Sequence, residues 1–224
     1  IYYQVVPYFG ICLVDDRSIP VSILCDWANL ALQTVKGSAI TSYAFYDDNL
    51  RAKQLDEQVI EGEMVTALNL HQFAIYLQPK HDIATGRIVG AEALVRWLHP
   101  QKGVLAPDRF IPLFERNGFI LQLDAAVWEA ACQALRRWLD AGYPVVPISI
   151  NVSRLHIYNP DVCDTLVRLA EQYRLPHGLI ELEVTESLFI EDAAALYRMM
   201  SRLREEGFRL SMDDFGAGYS SLNM

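Results

Sequence analysis

From Phe73 to the end of the chain, short apolar segments typical of β-strands alternate with longer segments that have the apolar spacing of helices. The predicted strands are Phe73–Pro79, Ile88–Trp97, Val145–Val152, Leu179–Val184 and Phe208–Asp213. The predicted helices are Asp108–Asn117, Asp124–Ala141, Pro160–Tyr173 and Asp192–Glu206. Because strands separated by helices are usually parallel, this pattern restricts the region to a doubly wound sheet or a TIM-type barrel.

Each predicted strand carries polar side chains on one face and apolar side chains on the other, following the two-residue period of a strand. The polar faces hold Tyr76, Gln78 and Lys80; Glu92, Leu94 and Arg96; Ser149, Asn151 and Ser153; Glu181, Glu183 and Thr185; and Ser211 and Asp213. Both faces of a parallel sheet are normally covered, so exposure to water does not explain five such faces. Since active sites of barrels and open α/β sheets lie at the carboxyl ends of the strands, we expect a functional site there.

Glu92 lies in the middle of an apolar strand, where a charged carboxylate needs a partner because its desolvation is unfavourable. One interpretation is an ion pair with Arg96, which lies on the same face. The other is a bound cation, and Asn151, Glu183 and Asp213 on the neighbouring strands favour it. Oxygen donors without a histidine suit Mg²⁺ or Mn²⁺ better than zinc.

Two further acidic residues follow the strand ends. Asp214 is adjacent to Asp213, and the pair is suited to two metal ions, although a turn or a helix cap explains two adjacent aspartates about as well. Glu186 lies three residues beyond Glu183 and is placed to orient the glycine-containing segment Phe215–Ser221. Its alternative role is that of a first-turn acid that stabilises a helix dipole.

The overall composition excludes several classes of function. The net charge of −9 and the pI near 5.0 argue against a binder of nucleic-acid polymers or anionic membranes, which needs a basic face. A phosphorylated small ligand remains compatible, because a bound divalent cation reverses the local field. The four cysteines and five histidines show no metal-binding spacing, and no apolar run is long enough to span a membrane.

The first 70 residues have a different organisation. Short strands are predicted at Tyr2–Tyr8, Ile11–Val14 and Thr41–Tyr46, with a helix at Trp27–Lys36. A long charged helix follows and indicates a connector between two domains. We therefore predict a partial α/β domain at residues 1–46, a connector helix at 47–70 and a second domain at 71–224.

The segment Glu92-Ala93-Leu94 resembles the signature of EAL-domain cyclic-di-GMP phosphodiesterases. The resemblance continues through Tyr76–Lys80, Thr85–Gly90, Arg96–Pro100, Phe110–Pro112, Ser149–Ser153, Glu181–Ser187 and Met212–Leu222. It implies a modified TIM (β/α) barrel whose first strand runs antiparallel to the others. The family's next functional residues, a lysine and a further glutamate, would follow Met224, so we expect the barrel to be incomplete at its C-terminal end.

The resemblance also implies a site and a reaction, the hydrolysis of cyclic-di-GMP to linear pGpG with two Mg²⁺ or Mn²⁺ ions. Calcium is expected to be inhibitory. The implied roles are metal binding by Glu92, Asn151, Glu183, Asp213 and Asp214, support of the glycine loop by Glu186, and contact with the dinucleotide by Gln78 and Arg96. The alternative is an inactive receptor that binds cyclic-di-GMP and signals through the connector helix.

Proteins of this kind often carry a diguanylate-cyclase-like GGDEF domain upstream, and residues 1–46 resemble the tail of one, with Trp27–Leu32 near its usual last helix. We therefore expect the chain to be a piece of a longer protein with an upstream sensor or GGDEF region. The resemblance further implies a cytoplasmic location for the catalytic region, with any membrane anchor in other segments. A homodimer is also expected.

Overall fold

The computed structural model describes residues 7–38, 41–185 and 192–213. The chain forms two compact units, Ile1–Glu63 and Met64–Met224. The first unit contains β1 (Phe9–Ile11), α1 (Val21–Val35), β2 (Tyr43–Phe45) and most of α2 (Asp48–Asn69). The boundary between the units falls within α2, a helix that the sequence predicts at 47–70.

In the first unit, β1 and β2 are parallel and α1 connects them. A Cβ atom at Gly10 would lie 1.8 Å from the carbonyl oxygen of Ala28, so only glycine permits this close approach of β1 to the helix. The predicted strand Ile11–Val14 is wrong, because the strand is Phe9–Ile11. The strand β2 has three residues, and they pair with Phe9, Gly10 and Ile11 of β1.

The second unit contains β-strands, α-helices and 3₁₀ turns in alternation. The strands are β3 (Phe73–His81), β4 (Ile88–His99), β5 (Gly103–Leu105), β6 (Ile148–Asn151), β7 (Ile180–Thr185) and β8 (Arg209–Asp213). The helices are α3 (Ile111–Asn117), α4 (Ile120–Asp140), α5 (Val162–Gln172) and α6 (Ala193–Glu205). The 3₁₀ turns are Pro107–Arg109, Arg154–Tyr158 and His177–Leu179.

These strands form one sheet in the order β3-β4-β6-β7-β8, with β5 added to β4. The strands β4, β6, β7 and β8 are parallel, whereas β3 is antiparallel to β4. This is the expected arrangement of a modified TIM barrel with an inverted first strand. Within the described residues the sheet is not closed, and β3 and β8 are its two ends.

The five strands predicted for this unit are all present, and two details of the prediction are wrong. The predicted Val145–Val152 is reduced to Ile148–Asn151, since Pro144 and Pro147 have no N–H to donate to a neighbouring strand. The short hairpin strand β5 was not predicted. A turn at Gly103, whose φ is +73°, precedes its pairing with the end of β4.

The helices pack on the apolar face of the sheet, as the alternation of side chains predicts. The residues Ile148, Ile150, Val152, Ile180, Leu182 and Val184 are all buried there. Helix α4 begins at Ile120, not at Asp124 as predicted, and Asp124 lies one turn inside it. A carboxylate at the start of a helix is typical of a cap, but this one is buried on the packed face.

A cluster of aromatic side chains closes the core beside the end of β4. Trp97, Phe110 and Phe114 are fully buried, and the rings of Phe73 and Phe119 contact Phe114 at centroid distances of 6.0 and 4.9 Å. Rings in such arrangements contribute more than their buried area alone. The cluster therefore anchors β3 and β4, the two strands that carry Gln78 and Glu92.

Substitution of Phe114 by alanine is expected to lower the free energy of unfolding by about 3–5 kcal/mol, because it leaves a cavity in a tightly packed core. Urea denaturation monitored by circular dichroism measures this change. Tyr143→Ala is the control, because its side chain is 63% exposed and we expect a change within about 0.5 kcal/mol. Equal effects of the two substitutions would show that the cluster does not anchor the core.

Candidate active site

The register of the strands places the predicted polar side chains on one face of the sheet. Glu92 is paired with Gln78 on β3 and aligned with Ser149 on β6. One step further, Asn151 is aligned with Glu183, and at the next step Thr185 is aligned with Asp213. Strands in a barrel are tilted relative to the barrel axis. Residues that lie at the same level along that axis are therefore shifted in register from one strand to the next. The register shifts in this way from Glu92 to Asn151 and from Glu183 to Asp213, whereas Asn151 and Glu183 are directly aligned.

Glu92 and Asn151 are in direct contact. The side-chain amide of Asn151 donates a hydrogen bond of 3.3 Å to Oε1 of Glu92. Arg96 is not the partner of Glu92, so the ion pair considered from the sequence is not formed. Instead, its guanidinium donates to the carbonyl oxygen of Val95 at 2.8 Å and lies 5.9 Å from the ring centroid of Tyr76. Glu92 is therefore left with an amide as its neighbour.

The electrostatic environment disfavours the charge on Glu92. Burial raises the pKa of Glu92 above its ordinary value, and the negative charges of Glu183 and Asp213 raise it further. The hydrogen bond from Asn151 and the ammonium of Lys80 oppose this shift without reversing it. Three carboxylates thus act on one another across the end of the sheet, which is the environment that a bound cation stabilises.

Lys80 supplies a positive charge inside the sheet. Its ammonium donates to Oε1 of Glu183 and to the hydroxyl of Ser149 at 2.6 Å, and it lies 3.5 Å from Oε1 of Glu181. Burial disfavours the ammonium, but the hydrogen bond and charge of Glu183, together with Glu181, outweigh this and raise the pKa of Lys80. The sequence placed Lys80 on this face but gave it no role. The ammonium of Lys80 therefore offsets the negative charges of Glu181 and Glu183.

The surroundings of the Glu183 carboxylate test whether a metal ion fits this site. Its carboxylate is buried, Lys80 and Ser211 donate to Oε1, and Oε2 is buried and has no hydrogen-bond partner among the residues that the structure describes. A buried carboxylate oxygen with no donor is unfavourable, and a divalent cation is a suitable partner for it. Because its neighbours Glu92 and Asn151 also offer hard oxygen atoms, the residues present fit Mg²⁺ or Mn²⁺.

The acidic residues of the predicted metal site are only partly described. Among residues 7–38, 41–185 and 192–213 there is no group of three His, Cys, Asp or Glu side chains already gathered closely enough to hold a metal. The predicted set relies in part on the amide of Asn151 and on Asp214, and Asp214 and Glu186 lie outside the described residues. Gln78 and Asp213 are described, and both side chains are exposed at the open end of the sheet.

Comparison with known proteins shows the family of the chain. The family described as "EAL domain" matches residues 61–224. The chain belongs to the EAL-domain family. EAL phosphodiesterases depend on a metal, which is consistent with the oxygen donors gathered around Glu183. None of the described helices of this EAL chain is long and apolar enough to cross a membrane.

Two relatives come from Pseudomonas aeruginosa. The cyclic di-GMP phosphodiesterase NbdA is 38% identical over 213 residues, which cover 95% of this chain and 27% of NbdA. The bifunctional diguanylate cyclase/cyclic di-GMP phosphodiesterase MucR is 34% identical over 195 residues, which cover 87% of this chain and 28% of MucR. The EAL chain thus spans less than a third of the length of either relative.

A solved structure of the MucR phosphodiesterase in complex with c-di-GMP is similar in fold. It has a TM-score of 0.69 and 36% sequence identity, and the match covers 72% of this chain and 66% of that one.

Proposed function

We propose that this EAL domain hydrolyses cyclic-di-GMP to linear pGpG with the help of two Mg²⁺ or Mn²⁺ ions. The observation that carries the proposal is the buried, unpartnered Oε2 of Glu183 beside Glu92 and Asn151. The family membership and the names of the relatives NbdA and MucR support the choice of substrate. Glu92, Asn151, Glu183 and Asp213 would hold the metals, together with Asp214.

The chain's own residues would hold the cations and contact the dinucleotide. Bound divalent cations polarise a phosphodiester and lower the pKa of an attacking water. Glu92 and Glu183 contribute negative charge that keeps the cations in place, while Lys80 fixes one oxygen of Glu183. Gln78 and Arg96 are at the open end, where we place the dinucleotide, and Glu186 would hold the segment Phe215–Ser221 against it.

The second candidate function is a receptor that binds cyclic-di-GMP without hydrolysis. In that case the signal would pass through the connector helix at 47–70. The observation against it is that each predicted ligand position within the described residues holds the expected type of side chain.

The two candidates are separated by incubating the full-length protein with cyclic-di-GMP and Mg²⁺ or Mn²⁺ and analysing the nucleotides by chromatography. The phosphodiesterase proposal predicts linear pGpG. Retained binding of cyclic-di-GMP without any pGpG would establish the receptor instead. Absence of both binding and hydrolysis would refute both candidates.

Calcium offers a separate test of the metal requirement. Ca²⁺ binds oxygen ligands at longer distances and with a looser geometry than Mg²⁺, so we expect it to occupy the site without supporting turnover. Addition of Ca²⁺ to the Mg²⁺-loaded protein is therefore expected to inhibit pGpG formation. The rate is measured at several Mg²⁺ concentrations, and an inhibition that excess Mg²⁺ reverses indicates competition for one site. Normal rates in Ca²⁺ alone would contradict the two-metal proposal.

The proposal also covers the domains of the chain. We assign residues 1–46 to the tail of a GGDEF-like domain, 47–70 to a connector and 71–224 to the EAL domain. The βαβ arrangement of β1, α1 and β2 and the name of the bifunctional relative MucR support the first assignment. A cytoplasmic catalytic region, a homodimer and an upstream sensor or GGDEF region complete the proposed organisation.

A further inference from the structure

Two buried side chains of α4 contact the backbone just after the strand that carries Asn151. Asp124 and Trp128 are one helical turn apart and therefore share a face of the helix. They are 8% and 1% exposed. The segment that they contact runs from Asn151, the last residue of β6, to His156 in the following 3₁₀ turn.

Trp128 holds the peptide of Asn151 itself. Its indole Nε1–H donates a hydrogen bond of 3.0 Å to the carbonyl oxygen of Asn151. On the other side, the N–H of Val152 donates to the carbonyl oxygen of Glu183 at 3.0 Å. Both sides of this peptide unit are thus fixed, one by the helix and one by the neighbouring strand.

Asp124 holds the next residues. Its Oδ2 accepts hydrogen bonds from the backbone N–H of Ser153 at 3.2 Å and from the Ser153 hydroxyl. The same oxygen lies 3.1 Å from Nε2 of His156, a residue that is 4% exposed and whose ring contacts that of Trp128 at a centroid distance of 4.6 Å and a tilt of 40°. All these partners belong to the segment that follows Asn151.

The side chain of Asn151 is itself exposed, so core packing does not set its direction. Its amide donates the 3.3 Å hydrogen bond to Glu92. The direction of the amide therefore depends on the backbone that Trp128 and Asp124 hold. Burying the carboxylate of Asp124 is unfavourable, and an apolar side chain would pack well at this position of the helix. We therefore expect Asp124 to have a role other than packing.

We propose that Asp124 and Trp128 are positioning residues that fix the Asn151 amide for metal binding. The inference rests on the proposed function, in which Asn151 is a metal ligand. Groups that orient ligands in this way typically change metal affinity or activity by about 10–100-fold when they are removed.

The decisive variant is Trp128→Phe, which keeps an aromatic ring in the core, removes the N–H that bonds to Asn151 and also shortens the side chain by part of the indole. Its control is Trp138→Phe on the same helix, a partly buried tryptophan of the same core. Electron paramagnetic resonance of free Mn²⁺ measures the metal Kd in the full-length protein. We expect the Kd to rise about 10-fold for Trp128→Phe and to stay unchanged for Trp138→Phe.

Asp124→Asn is the second variant, because it keeps the size of the side chain while the loss of the carboxylate weakens the hydrogen bonds from Ser153 and the contact with His156. Asp140→Asn, at the exposed end of the same helix, is its control. A rise in the Mn²⁺ Kd is expected for Asp124→Asn alone, and raising the Mn²⁺ concentration should restore turnover. A general loss of folded protein would not be restored in this way.

The outcomes separate the two levels of the proposal. A wild-type Mn²⁺ Kd in both folded variants refutes the positioning role while leaving the proposed function intact. If Trp128→Phe does not fold, Asp124→Asn decides, and if neither folds, a purely structural role is established and the inference is wrong. Failure of the wild-type protein to bind Mn²⁺ refutes the proposed function itself.

Discussion

Replacement of Glu92 by glutamine is expected to lower kcat for cyclic-di-GMP hydrolysis by at least about 1,000-fold, which corresponds to about 4 kcal/mol in the activation free energy. The substitution keeps the size of the side chain and its position opposite Gln78, but it removes the negative charge that we assign to metal binding. It also removes a carboxylate whose charge is already disfavoured by burial and by Glu183.

The rate is measured by chromatographic analysis of pGpG at saturating substrate and Mg²⁺. Glu129→Gln is the matched control, since Glu129 accepts a hydrogen bond from the hydroxyl of Tyr173 at 2.7 Å on the helical side of the sheet. Its kcat should remain near that of the wild type. Unchanged turnover in Glu92→Gln would refute the assignment of Glu92 as a metal ligand.

Replacement of Lys80 by methionine is expected to lower the free energy of unfolding of the metal-free protein by about 2–4 kcal/mol. The change leaves the buried Glu183 and its neighbour Glu181 without the ammonium that neutralises them. The value is below that of a fully buried pair because the side chain of Lys80 is 35% exposed.

Urea denaturation with and without Mg²⁺ measures this effect. A cation bound beside Glu183 replaces part of the lost charge, so saturating Mg²⁺ should stabilise Lys80→Met more than it stabilises the wild type. Lys80→Arg keeps the charge and is expected to retain most of the stability. If Lys80→Met were as stable as the wild type without metal, the ion pair would not stabilise the cluster.

The sequence predicted the strands of the second unit and the two faces of the sheet because both rest on local periodicity. The alternation around Ile148 and Ile150 was sufficient to separate the buried face from the polar one. The two-residue period fixes which residues of one strand share a face, whereas the pairing of Gln78 with Glu92 across β3 and β4 is known only from the structure.

Contacts between distant residues were not accessible in the same way. Lys80 meets Glu183 from 103 positions away, and its partner depends on which strand lies across the sheet from β3. Arg96 lies on the same face of β4 as Glu92, but its guanidinium donates to the carbonyl oxygen of Val95 and lies over the ring of Tyr76. Local spacing does not decide between such partners.

Asp124 shows how a local rule can mislead. Aspartate before an apolar helical segment is a usual cap, yet Ile120, Leu123 and Val127 share its face and already indicated a helix that starts earlier. The carboxylate on this apolar stripe was the signal for a buried contact. Its partner, Ser153, lies in a different repeat unit of the fold.

The most direct test of the metal site is a crystal structure of the full-length protein with Mn²⁺ and cyclic-di-GMP, with anomalous scattering used to locate manganese. We predict two manganese peaks at the carboxyl ends of β4, β6, β7 and β8. One should have oxygen atoms of Glu92, Asn151, Glu183 and Asp213 within about 2.5 Å, the range of metal–oxygen bonds. Bound cyclic-di-GMP with no manganese at these residues would contradict the proposed site.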